Sequence, residues 1–253
     1  MVETASLVAR ATALAAEHPQ PHVPVDLEPY QKALGVHGVK ELPGVGRQGA
    51  LLMEKAGPVV AVPPGLPLAE QRWILANQLA AVMAQGMAHR VDLTPVALEF
   101  LLPDGIFGPA ALECGIAVES IPELSASFCA PLRPTAVRFC ELMPFKCIVA
   151  FWQPVPGGRL GLGWQAASPG LRARFFARAT VNPQDHPFTT WSTGARSQGR
   201  QRLSLGGPRL DYYLESLRLE GGVLSLVILE KHAELLASEA RRRQAHRPGR
   251  PQP

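Results

Sequence analysis

The run LPLAEQRWILANQLAAVMAQGM predicts a helix over 67–87, the longest in the chain, and a helix of that length in a globular protein has to bury one face. Ile74, Leu75, Leu79, Val82 and Met83 fall at helical spacing and supply it. Just ahead, GALLMEKAG and PVVAVPPG are apolar runs bounded by Gly and Pro, and read as strands of a small antiparallel sheet. The middle of the helix carries two adjacent amides, Asn77 and Gln78. Polar side chains in that setting call for a chemical or a structural reason.

On the amino-terminal side, residues 4–17 have helix-forming composition, ending before the proline-rich segment HPQPHVPVD. VDLEPYQKALG reads as a short helix with Asp26 as its cap, Leu27, Tyr30 and Leu34 at helical spacing, and Gly35 as its stop. Beyond the long helix, LTPVALEFLLPDGIFGP reads as another, interrupted around Pro103, Asp104 and Gly105, and PAALECG, SIPELSASFCA and RPTAVRFCELM as short helical pieces. From residue 144 the pattern changes. FKCIVAFWQP, RLGLGW, RARFFARATV, RQRLSLG, RLDYYLESLRLE and GVLSLVILE are strand-like runs between turn residues, and DHPFTTWSTG reads as one short helix. The class is α+β.

At 253 residues and 47% hydrophobic content the chain has material for two modest domains. Its four cysteines form no C-x-x-C pair, and read as reduced thiols. The amino-terminal run carries Glu3 and is interrupted by Arg10, so it reads as neither a secretion signal nor a membrane span, and the expected location is cytoplasmic with no membrane partner. Net charge is +4, unevenly placed: residues 1–158 hold 10 basic and 14 acidic side chains, residues 159–253 hold 15 and 7. Eight arginines lie between Arg159 and Arg209 against one acid, Asp185. That excess makes Arg196, Arg200 and Arg202 candidates for contact with an acidic partner, whether protein or nucleic acid.

Taken together, PVDLEPYQKALGV, GPVVAVPPGLPLAEQRWILANQLAAVM and VALEFLLP resemble the ImmA/IrrE family of metallopeptidases. That family shows a PVD-helix, a strand, the motif RF-x-LAHE-x-x-H and a helix closing with FAAELLMP. IPELSASFCAPLRPTAVRFCELMP looks like its helical middle segment, and ARATVNPQDHPFTTWSTG with GGVLSLVILE is similar to the GAF-like carboxy-terminal domain of the IrrE branch. The resemblance implies a zincin-like peptidase domain of helices and a small sheet over 1–108, a short helix-turn-helix-like segment over 109–143 and an α+β GAF-like domain over 144–235, and the Arg- and Pro-rich composition of 236–253 reads as a basic, disordered tail. It also places Asn77 and Gln78 at the floor of a substrate groove.

Arg72, Leu75 and Ala76 match the family's residues and fix the register of the motif. The two zinc histidines then fall on Asn77 and Ala81, the general-base glutamate on Gln78, and the third ligand on Arg90 when Pro103 is aligned with the family's closing proline. An amide is a poor zinc ligand, a methyl is none, and a guanidinium brings a fixed positive charge. Gln78 cannot take up a proton near neutrality, so a general-base contribution of roughly 10²–10⁴ is missing as well. The expectation is a pseudopeptidase with no metal and no cofactor, engaging a protein partner such as the helix-turn-helix repressors that active members cleave, in a stress-response or mobile-element circuit. Two other functions stay open. One is a nucleic-acid-binding regulator using the arginine-rich half, and the other a metallopeptidase with an altered site, for which His89, Asp92 and Glu99 are nearby candidates.

Overall fold

Apolar residues three and four apart dominate the first half of the chain, alternation dominates the second, and the computed structural model follows that division. In chain order come α1 (Val2–Glu17), α2 (Glu28–Ala33), β1 (Val39–Glu41), β2 (Ala50–Glu54), β3 (Gly57–Val62), α3 (Leu68–Met83), α4 (Thr94–Leu101), α5 (Asp104–Cys114), α6 (Ser120–Phe128) and α7 (Leu132–Leu142). Then follow β4 (Cys147–Val155), β5 (Arg159–Ala167), β6 (Thr180–Val181), β7 (Ser197–Ser204), β8 (Arg209–Leu219) and β9 (Gly222–Leu229). The structure describes residues 2–19, 22–85, 91–183, 196–204 and 209–229. The helix read at DHPFTTWSTG and the basic tail lie outside them. Among the described residues no single helix is long and apolar enough to cross a membrane.

The chain divides into two units, Met1–Pro109 with Leu124–Thr135, and Ala110–Glu123 with Ala136–Pro253. The helical segment 109–143 is thus shared between them. In the first unit, β3 is the middle of a three-stranded sheet ordered β1-β3-β2, antiparallel to β2 and parallel to β1. The sequence pointed to the β2–β3 hairpin alone. β1 is three residues, VKE, all exposed, and carries no alternation by which to recognise it. Helix α3 packs chiefly on α4 and more lightly on β3. Its buried stripe is Ile74, Leu75, Ala76, Leu79, Ala80 and Met83, with Val82 only half-buried. The correction has a packing cause, because contact with α4 draws the small residues Ala76 and Ala80 inward. Pro103 breaks the next helical run: α4 ends at Leu101, and α5 restarts at Asp104 with its N–H 3.5 Å from Glu99 Oε1.

The second unit is a six-stranded sheet ordered β6-β5-β4-β9-β8-β7, antiparallel throughout. The inner strands β4 and β9 are buried on consecutive residues, CIVAFW and VLSLVI, all apolar except Ser225, because both faces are covered. On one face Ile148, Ala150, Trp152, Leu160, Tyr212, Leu214, Val223 and Val227 form a core cluster. Leu171, Ala173, Phe175, Ala179 and Val181 pack over it, and the Phe175 ring meets Trp152 edge-on at 4.9 Å. The run RARFFARATV was expected as a strand, but only Thr180–Val181 pairs. Its alternation belongs to a covering segment: Gln165 bonds both backbone groups of Phe175, Nε2 to the carbonyl and Oε1 from the N–H, each at 2.9 Å. One side-chain amide replaces the ladder.

All three tyrosines titrate high. Burial, with Glu99 and Asp26 nearby, pushes the Tyr30 phenol up to about 12, and burial beside Glu215 does the same for Tyr213. Burial also raises Tyr212. The Tyr30 hydroxyl is fully enclosed with no hydrogen-bond partner. A phenol whose folded pKa exceeds its unfolded value near 10 gives its full stability below pH 10 and loses it as pH rises towards 12. Ultraviolet titration of tyrosinate should therefore show native midpoints above that of free tyrosine, reverting to about 10 in urea. Tyr30→Phe should leave stability at neutral pH unchanged or higher and weaken its fall in alkali.

Candidate functional site

Helix α3 carries the motif positions at its centre, and the structure gives each described side chain a definite partner. Asn77 Nδ2 donates to the Trp73 carbonyl one turn back at 2.7 Å. Gln78 Nε2 donates to the Gln48 carbonyl at 3.1 Å. Ala81 is half-buried. The Gln48 carbonyl is within reach because Gly49 lies flat against the helix, with φ of +68°, and any Cβ there would run into Ile74 Cγ2 and the Ala61 carbonyl. Both amides therefore act as clamps on backbone carbonyls, one within the helix and one on the loop ahead of β2. Arg90 and His89 lie outside the described residues.

The register of α3 is held by Arg72. Its Nη2 donates to the Val25 carbonyl at 2.6 Å and its Nε to the Cys129 carbonyl at 3.2 Å, and burial lowers the guanidinium pKa from its usual value. The Cys129 carbonyl is presented by a Schellman corner that ends α6: Cys129 has φ of +48°, the Ala130 N–H bonds Ser125 O at 3.0 Å, and the Cys129 N–H bonds Ala126 O at 3.1 Å. Ser125 Oγ closes the corner on Ala130 O at 2.7 Å.

The described motif residues offer little that would hold a zinc ion. Asn77 turns its NH₂ towards a carbonyl, so Nδ2 offers no lone pair and only the weakly ligating amide oxygen remains, and Ala81 has no ligating atom. Asp92 and Glu99, candidates for an altered site, have local roles. Asp92 Oδ1 accepts the Thr94 N–H at 3.0 Å ahead of α4, while Glu99 is buried within α4. Among the described residues no three His, Cys, Asp or Glu side chains gather where a metal ion could be held. An open cleft of about 470 Å³, lined by His18, Asp26, Glu28, Pro29, Lys32 and Ala33, lies beside α2 and includes none of the motif residues.

In the second unit the three candidate arginines do not act alike. Arg196 Nη2 sits 2.6 Å from Glu215 Oε1 and its Nε 3.1 Å from Glu119 Oε1, while Glu215 Oε2 accepts the Val118 N–H at 2.9 Å. Arg196 thus ties the turn before α6 to strand β8. Arg200 is exposed on β7 opposite Tyr213, and Arg202 has Asp211 as its register partner. The buried acid Glu215 was not singled out from the sequence, although it continues the polar alternation of Asp211 and Tyr213 along β8. Glu119 carried no sequence signal.

No protein-family model matches the chain, and no curated protein matches it. Among solved structures it is similar to a Mycobacterium tuberculosis transcriptional regulator, with a TM-score of 0.60 over 93% of this chain and 80% of that one. Identity is 14%, so the likeness is one of fold.

The Arg72 clamp generates a test on stability. Arg72→Met removes two charge-assisted hydrogen bonds and leaves two carbonyls without their donor, which should cost about 2–4 kcal/mol in urea unfolding. Arg72→Lys should recover less than half of that, because an ammonium cannot span both acceptors. Gln78→Ala, which removes one bond at the surface, should cost about 1 kcal/mol or less.

Proposed function

We propose that this chain is a non-catalytic regulatory protein that binds a protein partner through its peptidase-like first unit. The observation that carries the reading is the pair of α3 amides committed to backbone carbonyls, Asn77 to Trp73 and Gln78 to Gln48, at positions where an ImmA/IrrE peptidase would place a zinc ligand and its general base. Side chains in those roles preserve the frame of the site without its chemistry. A helix-turn-helix repressor is the partner that the family resemblance suggests, and the fold likeness to a transcriptional regulator is in keeping with a regulatory role. In this reading the second unit is a GAF-like sensory or scaffolding domain, and the protein works in the cytoplasm.

The nucleic-acid alternative draws on the arginine excess of residues 159–209, and the Arg196 ion pairs weaken it. A cation already bonded to two carboxylates has less to offer a phosphate.

The test uses the full chain as bait in extracts of its own host, with and without genotoxic stress. Ala81→Phe places bulk on the half-buried motif face and should reduce partner recovery by about tenfold or more, whereas Arg200→Ala with Arg202→Ala should change it by less than about twofold. Circular dichroism confirms that each variant is folded. Duplex DNA binding that is tight, falls steeply with salt, and disappears in the double arginine variant while Ala81→Phe leaves it intact would replace this reading with the nucleic-acid one.

A further inference from the structure

Two cysteines that are far from any recognisable motif meet in the second unit. Cys140, near the end of α7, and Cys147, the first residue of β4, are both buried, and their Sγ atoms lie 3.7 Å apart. A helix end and a strand start separated by one short turn bring them together, which is why no C-x-x-C spacing announces the pair. Ser168 completes the group. Its Oγ accepts the Cys147 N–H at 2.9 Å and stands 3.6 Å from Cys147 Sγ.

We propose that Cys140 and Cys147 form a dithiol modification site, converted by a hydroperoxide oxidant into a disulfide that fastens the end of α7 to an inner strand of the sheet. The sulfurs need to close from 3.7 Å to the covalent distance of about 2.05 Å. In the neutral pair the Cys147 S–H donates to Cys140 Sγ. When one thiol ionises it is Cys147, because Cys140 and Ser168 can then both donate to its sulfur and Lys146 is adjacent, effects that outweigh burial. Burial pushes the Cys140 thiol up, so it stays protonated.

The chemistry balances without a cofactor. The Cys147 thiolate attacks one peroxide oxygen, an S–O bond forms, the O–O bond breaks, and the departing hydroxide takes up the thiol proton as water, leaving a sulfenic acid. Cys140 sulfur then attacks that sulfur, the S–S bond forms, the S–O bond breaks, and a second water leaves with the Cys140 proton. One dithiol and one hydrogen peroxide give one disulfide and two waters. Access comes through local opening of the α7–β4 corner, which makes the buried pair slower to react than the exposed Cys114.

That difference in exposure makes the test clean. Native full-length protein is first treated with iodoacetamide to cap accessible thiols such as Cys114, freed of reagent, exposed to hydrogen peroxide, then denatured, alkylated with a mass-distinct reagent and digested with trypsin. Cleavage after Arg138, Lys146 and Arg159 puts Cys140 and Cys147 on different peptides. The expected result is a cross-linked pair of peptides, 139–146 with 147–159, separated by dithiothreitol and absent without peroxide. Cys147→Ser should abolish the cross-link and leave Cys140 fully alkylated. Should that variant fail to fold, the wild-type peptide map still decides. Recovery of both peptides singly, whether alkylated, sulfinic or joined to Cys129, under conditions that oxidise Cys114 in a parallel uncapped sample, would overturn the proposal.

Discussion

The guanidinium of Arg72 is the constraint on which the first unit depends. One side chain from the first turns of α3 reaches the extended segment before α2 through Val25 O, and the corner after α6 through Cys129 O. Those stretches lie 47 and 57 residues away along the chain. A half-buried cation needs every donor satisfied, and carbonyls at fixed positions satisfy it only when α3 has one rotation and one height. With α3 so placed, Leu79 and Ala80 face inward, Gly49 can lie against Ile74, and Gln78 is left within reach of Gln48.

From that placement follows the difference between this helix and a metal-binding one. Imidazoles at i and i+4 serve a zinc ion because both present a lone pair to the same point. Asn77 and Gln78 present N–H groups, and they point at different carbonyls, one on their own helix and one on a neighbouring loop. The helix has an apolar stripe and an Arg72 anchor, and its two amides bond backbone carbonyls.

Much of the fold was legible in the sequence, and the exceptions have physical causes. Apolar residues at three and four marked α3, and consecutive apolar residues marked β4 and β9. Short β1 left no trace because a three-residue exposed edge strand buries nothing. RARFFARATV alternates as a strand would, yet only its end pairs with β5, and around Phe175 it is held by the Gln165 amide and by the contact of the Phe175 and Trp152 rings. Counting charges between Arg159 and Arg209 found one acid, but the acids that neutralise Arg196 come from outside that window, at 119 and 215. Electrostatics is set by distance in space, so a window along the chain overstates the free positive charge. The Cys140–Cys147 contact was hidden because the turn between α7 and β4, and no C-x-x-C spacing, brings the sulfurs together.

The central claim is that the α3 amides bond backbone carbonyls, Asn77 on its own helix and Gln78 on the loop ahead of β2, at the positions where the proposed resemblance would put a zinc ligand and a general base. Elemental analysis of the full-length protein, purified without chelator and equilibrated with equimolar zinc before desalting, measures this most directly. The account predicts zinc far below stoichiometric and no rise in melting temperature on adding the metal, since a ligand that does not bind the native state cannot stabilise it. A single zinc retained per chain and lost on Asn77→Ala would contradict the account.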